Sequence, residues 1–180
     1  MKPWLFVLIG ALALGCAAGK PKQTMHRIQV GTPDATGWIR AESTQGRFSA
    51  SFPIPFNDFT VEDGNPAVPA ARLDVLGCKS SEGIKFSVTR VSYRKPGQAE
   101  TFFRTFQSGA ALPGGVVSPL RHGGLEAVEV SLSGGPTEAR QRIVRQGETL
   151  FLCIVEWPKD QAALAAKLAP AFLGSLEVRP

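Results

Sequence analysis

The 180-residue sequence predicts an α+β domain in which a central antiparallel β-sheet is flanked by helices. Short segments of alternating apolar and polar residues are joined by turn-rich stretches, which is typical of β-hairpins. Residues Leu150 to Val155 are almost wholly apolar, as expected of a central strand covered on both faces. Two segments with helical periodicity, beginning near Gln98 and Pro158, lie between and after the strands.

Residues 1–15 have the pattern of a signal peptide. Lys2 supplies a positive charge, and the apolar run from Trp4 to Leu14 is shorter than the roughly 20 residues of a membrane span. The following Gly15-Cys16 resembles the bacterial lipoprotein box, in which the cysteine becomes acylated. By resemblance to Gram-negative sorting, Ala17 after the cysteine favours an outer-membrane lipoprotein facing the periplasm. Ordinary cleavage after Ala18, giving a secreted or periplasmic soluble protein, is the alternative.

Residues 16–37 are predicted to form a lipid-anchored tether, and residues 38–180 the folded domain. The tether is rich in glycine, proline and lysine and has few large apolar groups, which is typical of a linker. Residues 26–30 are a candidate short strand within it.

The first hairpin of the domain is predicted from Trp38–Glu42 and Arg47–Phe52, where Phe48 and Phe52 share one face. Four prolines between residues 53 and 69 then predict a long loop up to about Ala70, because proline cannot donate to a β-ladder.

A second hairpin is predicted from Arg72–Lys79 and Ile84–Arg94. In its second strand the apolar parity changes after Val88. This change predicts a β-bulge near Thr89-Arg90.

The next element is a helix from Gln98 to about Ala111, in which Phe102, Phe103 and Phe106 recur at helical spacing. This stripe favours core packing over an aromatic binding site. Further strands are predicted at residues 116–120, 126–132, 137–145 and 149–157, the last two as a hairpin.

The closing elements are a helix and a short edge strand. The helix begins at Pro158, and Pro170 is expected to kink or end it, because its ring clashes with the carbonyl of Ala166. The edge strand is predicted at residues 174–178.

Two segments resemble the PsbP-like family. Gly46-Arg47-Phe48-Ser49-Ala50-Ser51-Phe52-Pro53 is similar to the family's opening strand, and residues 146–155 are similar to its last strand. The final helix ends in Phe172-Leu173-Gly174-Ser175-Leu176, where the family more often has Phe in the last position. The resemblance covers residues 38–178 and implies an α/β/α sandwich that usually has no catalytic role. Its exported bacterial branch consists of lipoproteins of unknown function.

Two cysteines remain when Cys16 is set aside. Cys78 and Cys153 both lie in apolar segments, and an exported protein folds in an oxidising compartment. They form either a disulfide or two separate buried thiols.

Charged residues provide two candidate sites. Arg140, Arg142 and Arg145 share a strand and are candidates for an anion-binding face, with Arg90, Arg94 and Arg121 on neighbouring strands; separate solvent-facing arginines are the alternative. Asp58, Glu62 and Asp63 could suit Ca²⁺, but their spacing does not match an EF-hand, so a solvated loop is favoured and no metal is expected.

Catalytic motifs for acyl transfer, zinc hydrolysis, thiol redox chemistry and nucleotide binding do not occur in the sequence. The two histidines, His26 and His122, are predicted to lie in the tether and in a turn. We therefore expect neither an enzyme nor a bound cofactor. The formal charge of +5 is modest, and export removes access to nucleic acid, so a nucleic-acid partner is not expected.

These observations predict a non-catalytic, membrane-tethered lipoprotein of the cell envelope that acts as a protein-binding or assembly module. The expected partners are the lipid membrane, through acylated Cys16, and an unidentified envelope protein. The alternative is a carrier of a small molecule or lipid, with a cleft between sheet and helix.

Overall fold

The computed structural model of the chain describes residues 21–109 and 115–179. The predicted signal peptide and Cys16 lie outside these ranges. The strands are β1 (Lys22–Val30), β2 (Ile39–Glu42), β3 (Phe48–Phe52), β4 (Phe56–Glu62), β5 (Ala70–Lys79), β6 (Lys85–Tyr93), β7 (Val116–His122), β8 (Leu125–Leu132), β9 (Thr137–Gln146), β10 (Thr149–Pro158) and β11 (Glu177–Val178). The helices are α1 (Gln98–Gln107), a short 3-10 turn (Lys159–Gln161) and α2 (Ala162–Gly174).

The strands form two antiparallel sheets. The large sheet has the order β1-β4-β5-β6-β10-β9-β8-β7, and the small sheet has the order β11-β3-β2. The predicted hairpins β2–β3, β5–β6 and β9–β10 are confirmed, each as an antiparallel pair.

Both faces of the large sheet are covered, each by a different set of elements. On what we call the α2 face, β10 side chains such as Phe151 and Cys153 pack with α2 and the small sheet. On the opposite α1 face, Leu150 and Leu152 belong to the core that includes Phe103 of α1. The expected sandwich is therefore present in part, because a small sheet shares one face with α2 and strands outweigh helices.

The predicted bulge near Thr89-Arg90 in β6 is wrong. The apolar residues of β6 change from even to odd positions because both faces of the sheet are covered. Phe86 and Val88 face the α2 core, whereas Val91 faces the α1 core. The register of β6 against β10 runs without a shift from Lys85 to Ser92. A strand with two covered faces can place apolar residues at either parity.

Part of the predicted tether is folded. Residues 22–30 form β1, which pairs with β4 from Lys22 opposite Glu62 to Val30 opposite Phe56. β1 lies at the edge of the sheet and most of its side chains are exposed, so its composition resembles that of a linker. The connection between Cys16 and the fold is therefore much shorter than predicted.

The predicted loop up to Ala70 contains a strand, so this prediction is also wrong. β4 runs between the two pairs of prolines, and its residues alternate regularly between buried and partly exposed positions. Pro53 and Pro55 precede the strand and Pro66 and Pro69 follow it, so none of them interrupts the ladder.

Of the two effects predicted for Pro170, a kink or the end of the last helix, the end is not observed. α2 continues through this residue to Gly174. The predicted closing edge strand is confirmed as β11, which pairs with β3.

Candidate binding groove beside the C-terminal helix

The three candidate arginines of β9 do not share a face. Side chains alternate along a strand, so Arg140 and Arg142 project from the α2 face and Arg145 from the α1 face. Arg145 pairs with Glu126, 2.5 Å away, and with Glu100 of α1, also at 2.5 Å. The neighbouring candidates are engaged elsewhere: Arg90 pairs with Asp74, Arg94 donates to the Val68 carbonyl and Arg121 to the Gly124 carbonyl.

On the α2 face, Arg140 and Arg142 share one carboxylate, that of Glu129 on β8. Arg140 donates through Nε at 2.6 Å, and Arg142 donates through Nη2 at 2.8 Å. Burial raises the pKa of Glu129, but the hydrogen bonds and charges of the two guanidinium groups outweigh it and leave the pKa lowered. One carboxylate thus serves two guanidinium groups, so this cluster keeps one positive charge that Glu129 does not balance.

Arg142 also joins the sheet to the end of α2. Its Nη1 donates to the carbonyl of Leu173 at 2.9 Å and lies 3.2 Å from Nδ1 of His122. The Nε2 of His122 lies 2.7 Å from the carbonyl of Leu176. Since a carbonyl only accepts, Nε2 carries the proton and Nδ1 accepts from Arg142. Both nitrogens of His122 are therefore used in structural hydrogen bonds.

Two concavities border this polar cluster. One, of about 260 Å³, lies between the sheet and the start of α2, with Trp157, Ala165, Ala166 and Arg140 in its walls. The indole nitrogen of Trp157 donates to Glu138 at 3.1 Å, which holds the ring in place.

The other concavity, of about 410 Å³, lies between the β7–β8 turn and the residues that follow α2. Its walls include His122, Leu125, Leu176 and Val178. The chain His122–Arg142–Glu129–Arg140 connects one concavity to the other. We call the two concavities together the α2 groove.

The acidic candidates are not assembled into a metal site. Asp58 is buried in β4 and accepts hydrogen bonds from Arg27 and Thr44. Glu62 lies near Arg72, and Asp63 accepts from the backbone of Asn65. Within the described ranges, no cluster of three or more histidine, cysteine, aspartate or glutamate residues is arranged to hold a metal ion.

Sequence reasoning missed a buried polar network on β1, β4, β5 and β6. Thr60 donates to Asp74 at 3.1 Å, and His26 lies 2.9 Å from the Thr60 hydroxyl. Arg72 and Arg90 pair with the same aspartate. The alternation of Phe56, Asp58 and Thr60 would have placed these residues on one face, had residues 56–62 been recognised as a strand.

Cys78 and Cys153 are free thiols and both are buried. β6 lies between the two strands that carry them: Cys78 is opposite Phe86, and Cys153 is opposite Val88. Two strand spacings amount to about 9–10 Å, beyond the roughly 7 Å between Cα atoms that a disulfide can bridge. Of the two alternatives, the disulfide is wrong here and the structure has two separate thiols.

Comparisons with known proteins describe the fold only. No protein-family model matches the chain, and no curated protein matches it. The solution structure of cyanobacterial PsbP (CyanoP) from Synechocystis sp. PCC 6803 is similar with a TM-score of 0.49 and 10% identity, over 83% of this chain and 97% of that one.

Two further structures are similar. A crystal structure from Bacteroides thetaiotaomicron has a TM-score of 0.46 and 19% identity over 74% of this chain, but only 46% of that one. The crystal structure of LpqN, described as involved in cell envelope biogenesis of Mycobacterium tuberculosis, has a TM-score of 0.38 and 14% identity, over 92% of this chain and 87% of that one. Among the described residues, no helix is long and apolar enough to cross a membrane.

Proposed function

We propose that this protein is a non-catalytic binding module of the cell envelope, and that the α2 groove takes a short segment of a partner protein. The observation that supports this most is the groove itself, in which two concavities with apolar and polar walls border a centre of two arginines that share one glutamate. α2 rises about 1.5 Å per residue, so Ala165 and Gly174 are about 13 Å apart along its axis. An extended peptide of about four residues has that length.

The chemistry of the groove suits binding better than catalysis. Both ring nitrogens of His122 are engaged, and the guanidinium groups of Arg140 and Arg142 are directed at Glu129. The remaining walls contain an aromatic ring and small aliphatic side chains. Such walls contact a partner through shape and apolar surface, with the exposed part of Arg140 available to a partner carbonyl or carboxylate.

Site-specific photocrosslinking in cells tests this function. A photoreactive amino acid at Ala166, which is exposed in the groove, is compared with one at Ala171, which is exposed on α2 but lies outside both concavities. We expect one envelope protein to be crosslinked from position 166 and not from 171. The same products from both positions, or none from 166, would argue against a protein partner in the groove.

A carrier of a small molecule is the second candidate, and the size of the larger concavity favours it. Small-molecule sites span about 300–1,000 Å³; the concavity of about 410 Å³ lies within that range, and the one of about 260 Å³ falls below it. Native mass spectrometry of the protein purified without detergent distinguishes the candidates. A bound molecule in equal amount, lost when Ala166 is replaced by a bulky residue, would support the carrier.

The proposed location is the envelope, with Cys16 acylated and an outer-membrane anchor facing the periplasm. The signal-like residues 1–15 and the lipoprotein-like Gly15-Cys16 support it. Labelling cells with a clickable fatty acid tests the anchor: wild type should carry the label, and Cys16→Ser should lose it. An unlabelled wild type would favour the soluble periplasmic alternative, and a labelled Cys16→Ser variant would mean that the acyl chain is attached at another residue.

A further inference from the structure

The starting point is the short distance between the predicted anchor and the fold. Because β1 begins at Lys22, only six peptide units separate it from Cys16. An extended chain covers at most about 3.3–3.6 Å per residue, so the first residue of β1 lies within about 20 Å of an anchored cysteine. Such a connection restricts how the domain can turn above a membrane, and the start of β1 is the described part of the chain held nearest to the lipid.

The surface of β1 has unusual apolar exposure. Met25 is 40% exposed and Ile28 is 63% exposed, and they are two of the four large apolar residues that are exposed in the described part of the chain. Ile28 lies where the pairing of β1 with β4 shifts register, between Arg27 and Val30. The adjacent Gln29 has φ of 49°, so the backbone leaves the regular strand at this point and presents the isoleucine to solvent.

The same irregularity makes β1 a poor template for strand addition by another protein. Register shifts and positively charged side chains are the means by which edge strands avoid pairing with a further strand. Two exposed apolar side chains on a strand that begins with Lys22 suit a different contact, in which apolar groups enter the headgroup region and a lysine lies beside anionic lipid. After cleavage before Cys16 removes Lys2, the formal charge of +5 becomes +4, which favours the same contact.

We propose that the β1 edge of the large sheet lies directly on the anionic membrane surface, with Met25 and Ile28 at the headgroups. The proposal rests on the acylated Cys16 of the proposed function. In this orientation the opposite edge, β7, points away from the membrane. Seven strand spacings of about 4.8 Å place it roughly 34 Å from β1. The α2 groove, which borders the β7–β8 turn, then faces the aqueous compartment.

A depth measurement on the full lipoprotein tests this orientation. Ile28→Cys and Val116→Cys each receive an environment-sensitive fluorophore; Val116 is 69% exposed and lies on β7, so it is the matched control. The native thiols interfere little, because Cys78 and Cys153 are buried and burial raises the pKa of both. The labelled proteins are reconstituted in vesicles of phosphatidylethanolamine and phosphatidylglycerol, with and without brominated acyl chains.

We expect the probe at position 28 to shift to shorter wavelength and to lose fluorescence in brominated vesicles, and the probe at 116 to do neither. Flotation of the same vesicles reports the anchor separately, with Cys16→Ser as its control. If the protein floats but neither probe is quenched, or position 116 is quenched instead, the orientation is wrong while the anchor stands. If the wild type does not float, the anchor is absent and the orientation proposal fails with it.

Discussion

At the level of single residues, Glu129 is the acid whose removal should cost most in the α2 groove. Its side chain is 13% exposed and accepts from both Arg140 and Arg142. Glu129→Gln keeps the size of the side chain but removes the charge, so both guanidinium groups lose a charged partner. We expect a loss of about 2–3 kcal/mol in the free energy of unfolding, since hydrogen bonds to charged groups contribute about 1.5–3 kcal/mol. Urea denaturation measures it.

Glu126→Gln is the matched control on the same strand. Glu126 pairs with Arg145, but its side chain is 37% exposed and water screens the pair. We expect Glu126→Gln to lower the free energy of unfolding clearly less than Glu129→Gln does. Equal losses in the two variants would mean that Glu129 is not the centre of the cluster.

A second prediction at the level of single residues concerns Gly31, which lies between β1 and the small sheet. Its φ is +112°, and a Cβ built there would lie 2.3 Å from Cγ2 of Ile39. Gly31→Ala therefore meets both backbone strain and a steric clash with a buried residue. We expect a loss of about 2–3 kcal/mol in the free energy of unfolding, because a strained backbone residue costs about 1–3 kcal/mol.

The control for this substitution is Gly64→Ala. A Cβ at Gly64 would have nothing within 4 Å, and its φ lies outside the left-handed region. The change in stability should stay within about 0.5 kcal/mol. A stable Gly31→Ala protein would show that the link between β1 and β2 adapts at little cost.

At the level of elements, β6 decides the state of the cysteines because it separates β5 from β10. Burial raises the pKa of Cys78 to about 12 and also raises that of Cys153, so both thiols should be protonated and unreactive at pH 8. We expect native protein to resist alkylation and protein unfolded without reductant to take up two alkyl groups at these positions. Mass spectrometry counts them. Uptake only after reduction would mean that a disulfide forms in spite of the intervening strand.

The elements also show how much of the fold could be predicted from the sequence. β10 and α1 were recognised because each has a strong pattern, one nearly all apolar and the other with phenylalanines at helical spacing. β1 was missed because an edge strand with mostly exposed side chains has the composition of a linker. β4 was missed because the prolines at its two ends hid the alternation between them.

The candidate site was predictable only in outline. The residue types of Arg140, Arg142 and Arg145 were visible, but their opposite faces and their acidic partners depend on which strands become neighbours. Glu129 and Arg142 lie 13 residues apart in sequence and meet through the pairing of β8 with β9. His122 and Leu176 are 54 residues apart and meet because α2 returns along the sheet.

At the level of the whole molecule, arginine–carboxylate pairs make stability depend on acid pH. The pKa values of Glu42, Glu126 and Glu177 are lowered, chiefly by hydrogen bonds from Arg179, Arg145 and Arg40. The pKa of Glu129 is also lowered, although burial of its side chain acts to raise it. A lowered pKa in the folded state means that the unfolded chain takes up protons first as pH falls. The stabilisation is therefore complete above the ordinary glutamate value of 4.5 and is lost below it.

We expect the melting temperature to change little between pH 7 and about pH 5.5 and to fall steeply below pH 4.5. Each group that is protonated only in the unfolded chain makes this fall steeper. In Glu129→Gln the melting temperature should fall less steeply below pH 4.5, because one of these groups no longer titrates. Added salt should lower stability near pH 7 through the exposed pairs, while the Glu129 contribution persists. Calorimetry across this range is the measurement. If the melting temperature falls equally steeply with pH in the variant and the wild type, Glu129 titrates alike in the folded and unfolded chains. Its two arginines then do not hold it ionised.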